Sequence, residues 1–338
     1  MNKLTKIGAS ALCGSLAAIS GANAGALTVA GGIDMTWSSM GQNQNSSSGN
    51  PIGIGSNYTL SGSGEMDNGW TAGLSIAMTN ANAYSNTNVS VTIPSLGDLR
   101  ISQGVSGSGI DRIDDITPNV WEEAYASGLS TGINTVGGVS GSANIEYTPN
   151  MLPEGLTARI AYSPSGGSAG ADKTTSGAGN TVGGGYDVIV SATDAIHGMA
   201  GLTLDAGISS RSTKGITNQN GDLDENTLAI TYAVGSFTLG YQMSEEDLGT
   251  SAAEQQYDND GYGITFAIND DLSIGYNKYE SKQTNATNVT AEADSVQIAY
   301  SMGGASVRVM SASADNMDYN TGAAYDRDNT VISVSLAF

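Results

Sequence analysis

Thr227-Leu228-Ala229-Ile230-Thr231-Tyr232-Ala233-Val234-Gly235-Ser236-Phe237-Thr238-Leu239-Gly240-Tyr241-Gln242-Met243 is the stretch that decides the fold. Leu228, Ile230, Tyr232 and Val234 alternate with small or polar residues. After Gly235 the alternation resumes through Phe237, Leu239, Tyr241 and Met243. Side chains of a strand point to opposite faces in turn, so a period of two gives one apolar face and one small or polar face. The glycine between the two runs is a turn former.

The same alternation recurs along the chain. Sixteen segments read as strands, over 26–37, 56–66, 69–79, 86–93, 97–104, 139–149, 155–163, 182–194, 199–210, 224–234, 236–245, 257–269, 271–280, 289–302, 304–314 and 327–338. Their connections alternate in length. Short turn-forming ones lie at 67–68, 94–96, 150–154, 195–198, 235, 270 and 303. Long ones rich in Ser, Asn, Gly, Thr and acids lie at 38–55, 80–85, 105–138, 164–181, 211–223, 246–256, 281–288 and 315–326. Short turns on one rim and long loops on the other are the layout of a closed antiparallel transmembrane β-barrel of about 16 strands. A soluble sandwich core would also give alternation, but it would not require that regular change of connection length. Nor would it place Tyr58, Tyr147, Tyr162, Tyr241, Tyr276 and Tyr300 on apolar faces, as interfacial girdles do.

Composition agrees. Glycine, at 46 of 338 residues, is about twice the usual ~7% and disfavours long helices. Charged residues are 13%, against roughly 25% in ordinary soluble domains. No run of ~20 apolar residues exists, which argues against a polytopic helical membrane protein. The formal charge is −21, with 12 Lys+Arg against 33 Asp+Glu, which argues against nucleic-acid binding and for attraction of cations.

Residues 1–24 read as a signal peptide. Lys3 and Lys6 are followed by an Ala-rich apolar core and the small-x-small Ala22-Asn23-Ala24, so the mature barrel domain spans 25–338. Removing Lys3 and Lys6 takes the formal charge from −21 to −23. Cys13, the single cysteine, leaves with the leader. Leu12 before it departs from the small residue that a lipoprotein site needs.

The sequence resembles the bacterial outer-membrane general porins, particularly those of alphaproteobacteria, over the whole mature chain. The carriers are Gly25-Ala26-Leu27-Thr28-Val29-Ala30-Gly31-Gly32, the sixteen segments and the terminal Phe338. The resemblance implies a homotrimer of barrels in the outer membrane of a Gram-negative bacterium, surrounded by lipid and lipopolysaccharide. It implies that Phe338 is part of the signal to the barrel-assembly machinery. It also implies that the third long connection, 105–138, folds into the pore. The Pro-Glu-Phe-Gly-Gly tip of the enterobacterial members is absent, and Pro118-Asn119-Val120-Trp121-Glu122-Glu123 stands in its place.

Strand parity assigns the lumen. Leu99 and Ile101 face lipid, so Arg100 points inward; Ile160 and Tyr162 put Arg159 inward; Val307 and Val309 put Arg308 inward. A lipid-facing Arg at mid-membrane costs about 2–4 kcal/mol, which supports that assignment. Arg211, Asp34, Glu146, Asp187 and Asp205 are inward by the same rule. The long loop contributes Asp111, Asp114, Asp115, Glu122 and Glu123, with Arg112 as its one base. If the loop folds inward, acids and wall arginines set up a field across the constriction that favours dipolar solutes. Their alternative is simple solvation on top of the barrel.

The function expected is passive diffusion of small hydrophilic solutes and ions, with cation preference. An arginine-controlled anion channel, a substrate-specific channel and a non-conducting adhesin or structural barrel are the alternatives. Asp222, Asp224 and Glu225 form one weak candidate calcium cluster, without a full calcium loop. No cofactor is called for. Catalysis finds little support, since the single histidine, His197, falls in a predicted short turn.

Overall fold

A computed structural model describes residues 27–41, 51–80, 83–104, 107–165, 183–212, 221–249, 256–284 and 288–337. Residues 1–26, which include the expected signal peptide 1–24, together with Phe338 and parts of several long connections, lie outside the described residues.

Sixteen strands run in chain order. They are β1 (Thr28–Met40), β2 (Ile52–Glu65), β3 (Thr71–Thr79), β4 (Ala83–Ile93), β5 (Gly97–Gly104), β6 (Asn144–Pro149), β7 (Leu156–Ser165) and β8 (Gly183–Ala192). The second half is β9 (Leu202–Arg211), β10 (Leu223–Val234), β11 (Phe237–Asp247), β12 (Gln256–Ala267), β13 (Leu272–Thr284), β14 (Thr290–Met302), β15 (Ala305–Asp315) and β16 (Arg327–Ala337). Each pairs with its sequence neighbours, and β1 closes antiparallel on β16, with Ile33 opposite Leu336 and Trp37 opposite Ile332. Closure leaves no free edge, which a hydrocarbon environment demands.

The parity read from the sequence holds. In β10, Leu228 and Ile230 on the outer face are 53% and 39% exposed, whereas Thr227 and Ala229 facing inward are 4% and 3% exposed. Outward aromatics fall near both rims. Tyr162, Tyr186, Tyr241 and Tyr262 lie toward the long loops, and Tyr232, Phe237, Phe266 and Tyr300 toward the short turns. Amphipathic rings favour those two levels of a bilayer.

The outer wall is divided electrically. Every described charge on β1–β9 lies at an inward position. On β10–β14 the outward positions toward the long loops carry Asp224, Glu245, Asp258, Asp260, Glu292 and Asp294. Lys278 on β13 links this belt, with Nζ 2.5 Å from Glu280 and 2.9 Å from Glu292.

Two expectations change. The segment 139–149 contains only the strand Asn144–Pro149, because Val139 turns inward instead of pairing. Its N–H donates to Asp187, and Val136 beside it packs on Ile110, Ile113 and Ile189. An extended loop docked on a wall also buries alternate residues, as Leu129, Thr131 and Ile133 show, and so resembles a strand over a short span. The turn holding His197 is a single helical turn, Asp194–His197, closed by Gly198 at φ 76°.

Candidate functional site: the loop and the lumen wall

The segment 107–143 leaves β5, travels along the inner wall to β16 and returns to β6. On the outward leg, Gly109 donates to Glu146 at 2.8 Å and Ile110 to Asp187 at 3.0 Å. Gln242 then takes the N–H of Ile116 at 3.1 Å and donates to the carbonyl of Ile113 at 2.7 Å. Gln297 accepts from Trp121 at 3.0 Å and donates to the carbonyl of Glu122. Asn277 accepts from Ala124 at 3.0 Å. At the far end, Asn329 and Arg327 donate to the carbonyls of Ser127 and Leu129. On the return, Asn259 donates to the carbonyl of Asn134, Glu225 accepts from Gly137 and Gly138, and Asp187 accepts from Val139. Buried backbone polar groups need such partners, and the inward wall supplies them.

Apolar packing completes the docking. Leu129, Met317, Tyr257, Tyr279, Tyr319 and Met310 form one buried cluster between loop and wall. The loop thus covers the inner face of β8–β16, is tied to β5 and β6 where it leaves and rejoins the wall, and leaves the inner face of β1–β4 bare. A recess of about 340 Å³ remains under Asn119 and Val120 on the short-turn side, lined by Ser236, Thr238, Thr265, Ser273 and Ser301.

The arginines fall in two places. Arg100 and Arg159 stand on β5 and β7, beside the loop's first turn. Arg100 donates to the carbonyl of Gly107 at 2.5 Å, and Arg159 has no hydrogen-bond partner among the described residues. Arg112 of the loop joins them, fixed to Glu146 by bonds of 2.6 Å and 2.9 Å. Arg308 lies apart on β15. It reaches Asp34 at 3.4 Å, donates to Ser335, and sits 5.2 Å over the ring of Trp121.

The loop acids are spread along the outward leg. Asp111 turns back into its own loop, accepting from Gly107 at 2.5 Å and Ser140 at 3.0 Å. Asp114 and Asp115 share a hydrogen bond; burial, then the neighbouring Asp115 charge, push the Asp114 carboxyl up to about 9. Burial and then Asp115 push Glu123 up to about 7, although Asn119 donates to it at 2.6 Å. Asp115 and Glu122 are exposed. Burial raises Glu122, opposed by the charge of Arg308.

Other candidates separate. Asp224 and Glu225 are adjacent on β10 and so take opposite faces, exposed and buried respectively. Glu225 is committed to the loop and, at 3.5 Å, to Arg211. The structure does not bring Asp222, Asp224 and Glu225 into one calcium site. Among the described residues no three His, Cys, Asp or Glu side chains converge as metal ligands. The residues sequence reasoning missed are the loop's holders Gln242, Asn277 and Gln297. They carried one signal: amides at inward positions, where Gly, Ser, Thr and Ala are commoner.

Comparison with known proteins fits this architecture. The profile of the Gram-negative porin family matches residues 9–305. The chain belongs to that family. Its members are channels of the outer membrane of Gram-negative bacteria, not enzymes. Among solved structures, an anion-selective porin from Comamonas acidovorans is similar at 16% identity and a TM-score of 0.67, covering 94% of this chain and 100% of that one. A porin refined at 1.8 Å is similar at 14% identity and a TM-score of 0.64, over 93% and 100% of the two chains. A mutant of the Rh. blastica porin gives 14% identity and 0.59, with the same coverage. A search of curated protein sequences returned no match.

Proposed function

We propose that this porin passes small hydrophilic solutes and ions passively, with cation preference, and that the loop 105–138, continued to 143, is its constriction. The observation that carries the reading is the exposed carboxylates of Asp115 and Glu122 on the edge of a loop that faces the bare arc. The arginines of the loop and wall are partly spent. Arg112 is neutralised by Glu146 and Arg308 by Asp34, whereas the exposed loop acids have no basic partner within ion-pair distance among the described residues. A ring of net negative charge favours cations. The uncharged outer wall of β1–β5 supports a homotrimer, since a neighbouring copy can cover apolar surface without burying charge. The belt on β10–β14 then faces lipid and lipopolysaccharide. Removal of 1–24 and recognition of Phe338 by the assembly machinery complete the proposal.

Anion selectivity is the competing reading. Arg100, Arg112 and Arg159 lie together on the β5–β7 side, and the similar porin from Comamonas acidovorans is anion-selective. Reversal potentials in planar bilayers under a KCl gradient separate the two. A potential set by K⁺ supports the cation-preferring pore, and one set by Cl⁻ gives control to the arginines. Folded protein without conductance removes the pore reading.

A further inference from the structure

The stretch Thr117–Val120 lies in a bed made by missing side chains. Gly240 of β11 and Gly261 and Gly263 of β12 all face inward beneath it. A methyl on Gly240 would overlap the Cδ of Pro118 and lie 2.9 Å from its Cγ. One on Gly263 would overlap the carbonyl oxygen of Pro118 and lie 2.8 Å from its nitrogen. One on Gly261 would lie 2.7 Å from Thr117 Oγ1. Glycine weakens a strand interior, and one reason for it there is close approach of another backbone. Here that backbone is the loop.

The stretch is held on both sides. Gln242 grips Ile113, Asp114 and Ile116, and Gln297 grips Val120, Trp121 and Glu122. If the bed is filled, Thr117–Val120 has one way to move, toward the lumen. We infer that Gly240 and Gly263 set the bore of the channel although neither borders it. They are positioning residues for size selection, acting through Pro118. The inference rests on the loop being the constriction.

The test uses the full-length protein, with folding checked by heat-modifiable migration. Gly240→Ala and Gly263→Ala are read by single-channel conductance in KCl and by the largest polyethylene glycol that enters the pore. Both should lose conductance and exclude smaller polymers, with an unchanged reversal potential. Gly304→Ala, at a short turn with its nearest neighbour 3.4 Å away, should match the parent. Adding Pro118→Gly to Gly240→Ala should restore conductance. If the glycine variants do not fold, Pro118→Gly in an unaltered wall decides: the stretch settles closer to the wall and conductance rises. Parent-like or larger conductance in the folded alanine variants overturns the inference, as does no change in Pro118→Gly alone. A non-conducting parent overturns the constriction reading itself, and this inference with it.

Discussion

Glu146 stands directly opposite Arg100 in the β5–β6 pairing, yet gives its carboxylate to Arg112 of the loop. Charge-assisted two-point bonding to a guanidinium is strong, and Glu146 is only 3% exposed. A wall acid thus silences the loop's own base and helps fix the loop's first turn. Glu146→Gln keeps the length and removes the charge. The expected result is a reversal potential displaced toward Cl⁻ and noisier open steps, because Arg112 and the Gly109 anchor are both loosened.

Arg159 and Arg100 share an arc but not a structural role. Arg159 has no hydrogen-bond partner among the described residues, so Arg159→Ala should raise cation preference without lowering the temperature at which the folded band disappears. Arg100 also holds the carbonyl of Gly107. Arg100→Ala should therefore change selectivity and also lower that temperature, reflecting a lost charged hydrogen bond of about 1.5–3 kcal/mol.

Selectivity should depend on pH. With Glu123 pushed up to about 7 and Asp114 up to about 9, the loop gains negative charge as pH rises through neutrality, and again above it. Cation preference should rise from pH 6 to pH 8, and Glu123→Gln should flatten that rise. The sign for stability is the opposite. A carboxyl whose folded value exceeds its unfolded one makes the docked loop less stable as pH climbs from about 4.3 to about 7. A flat profile in the parent between pH 6 and 8 would count against Glu123 as a titrating group of the constriction.

Membrane burial of the outer wall predicts unequal tolerance along β10. Ile230→Arg places a guanidinium toward lipid and should cost about 2–4 kcal/mol if that position is near the midplane. Thr231→Arg points to the lumen and should fold like the parent. Urea titration into lipid vesicles distinguishes them; equal losses would contradict the inward–outward assignment.

The barrel was legible because its physics is local. Leu228 to Met243 declare two faces and a turn within a few residues of one another, and repetition does the rest. The lumen arginines were legible for the same reason, since parity fixes Arg100, Arg159 and Arg308. What parity cannot supply is which groups meet across the lumen. Glu146 choosing Arg112 over Arg100 depends on a loop returning through space. Val139 imitated the start of a strand because short apolar spacing does not say whether the partner is a neighbouring strand or a wall. The bed of glycines is visible in the sequence as composition, but its purpose emerges only when Pro118 is seen lying in it.

The wall holds this loop by its main chain. Gln242, Asn277, Gln297, Asp187 and Glu225 all bind peptide N–H or C=O groups, which every residue type except proline provides in full. The loop's exposed side chains, unlike Leu129, Ile110 or Arg112, are therefore interchangeable without disturbing its mounting. A lineage could exchange Asp115 or Glu122 for a base and alter what enters the cell while the scaffold stays as it is. Permeability and architecture can be inherited as separate traits, and a channel built this way is readily adapted to a new diet.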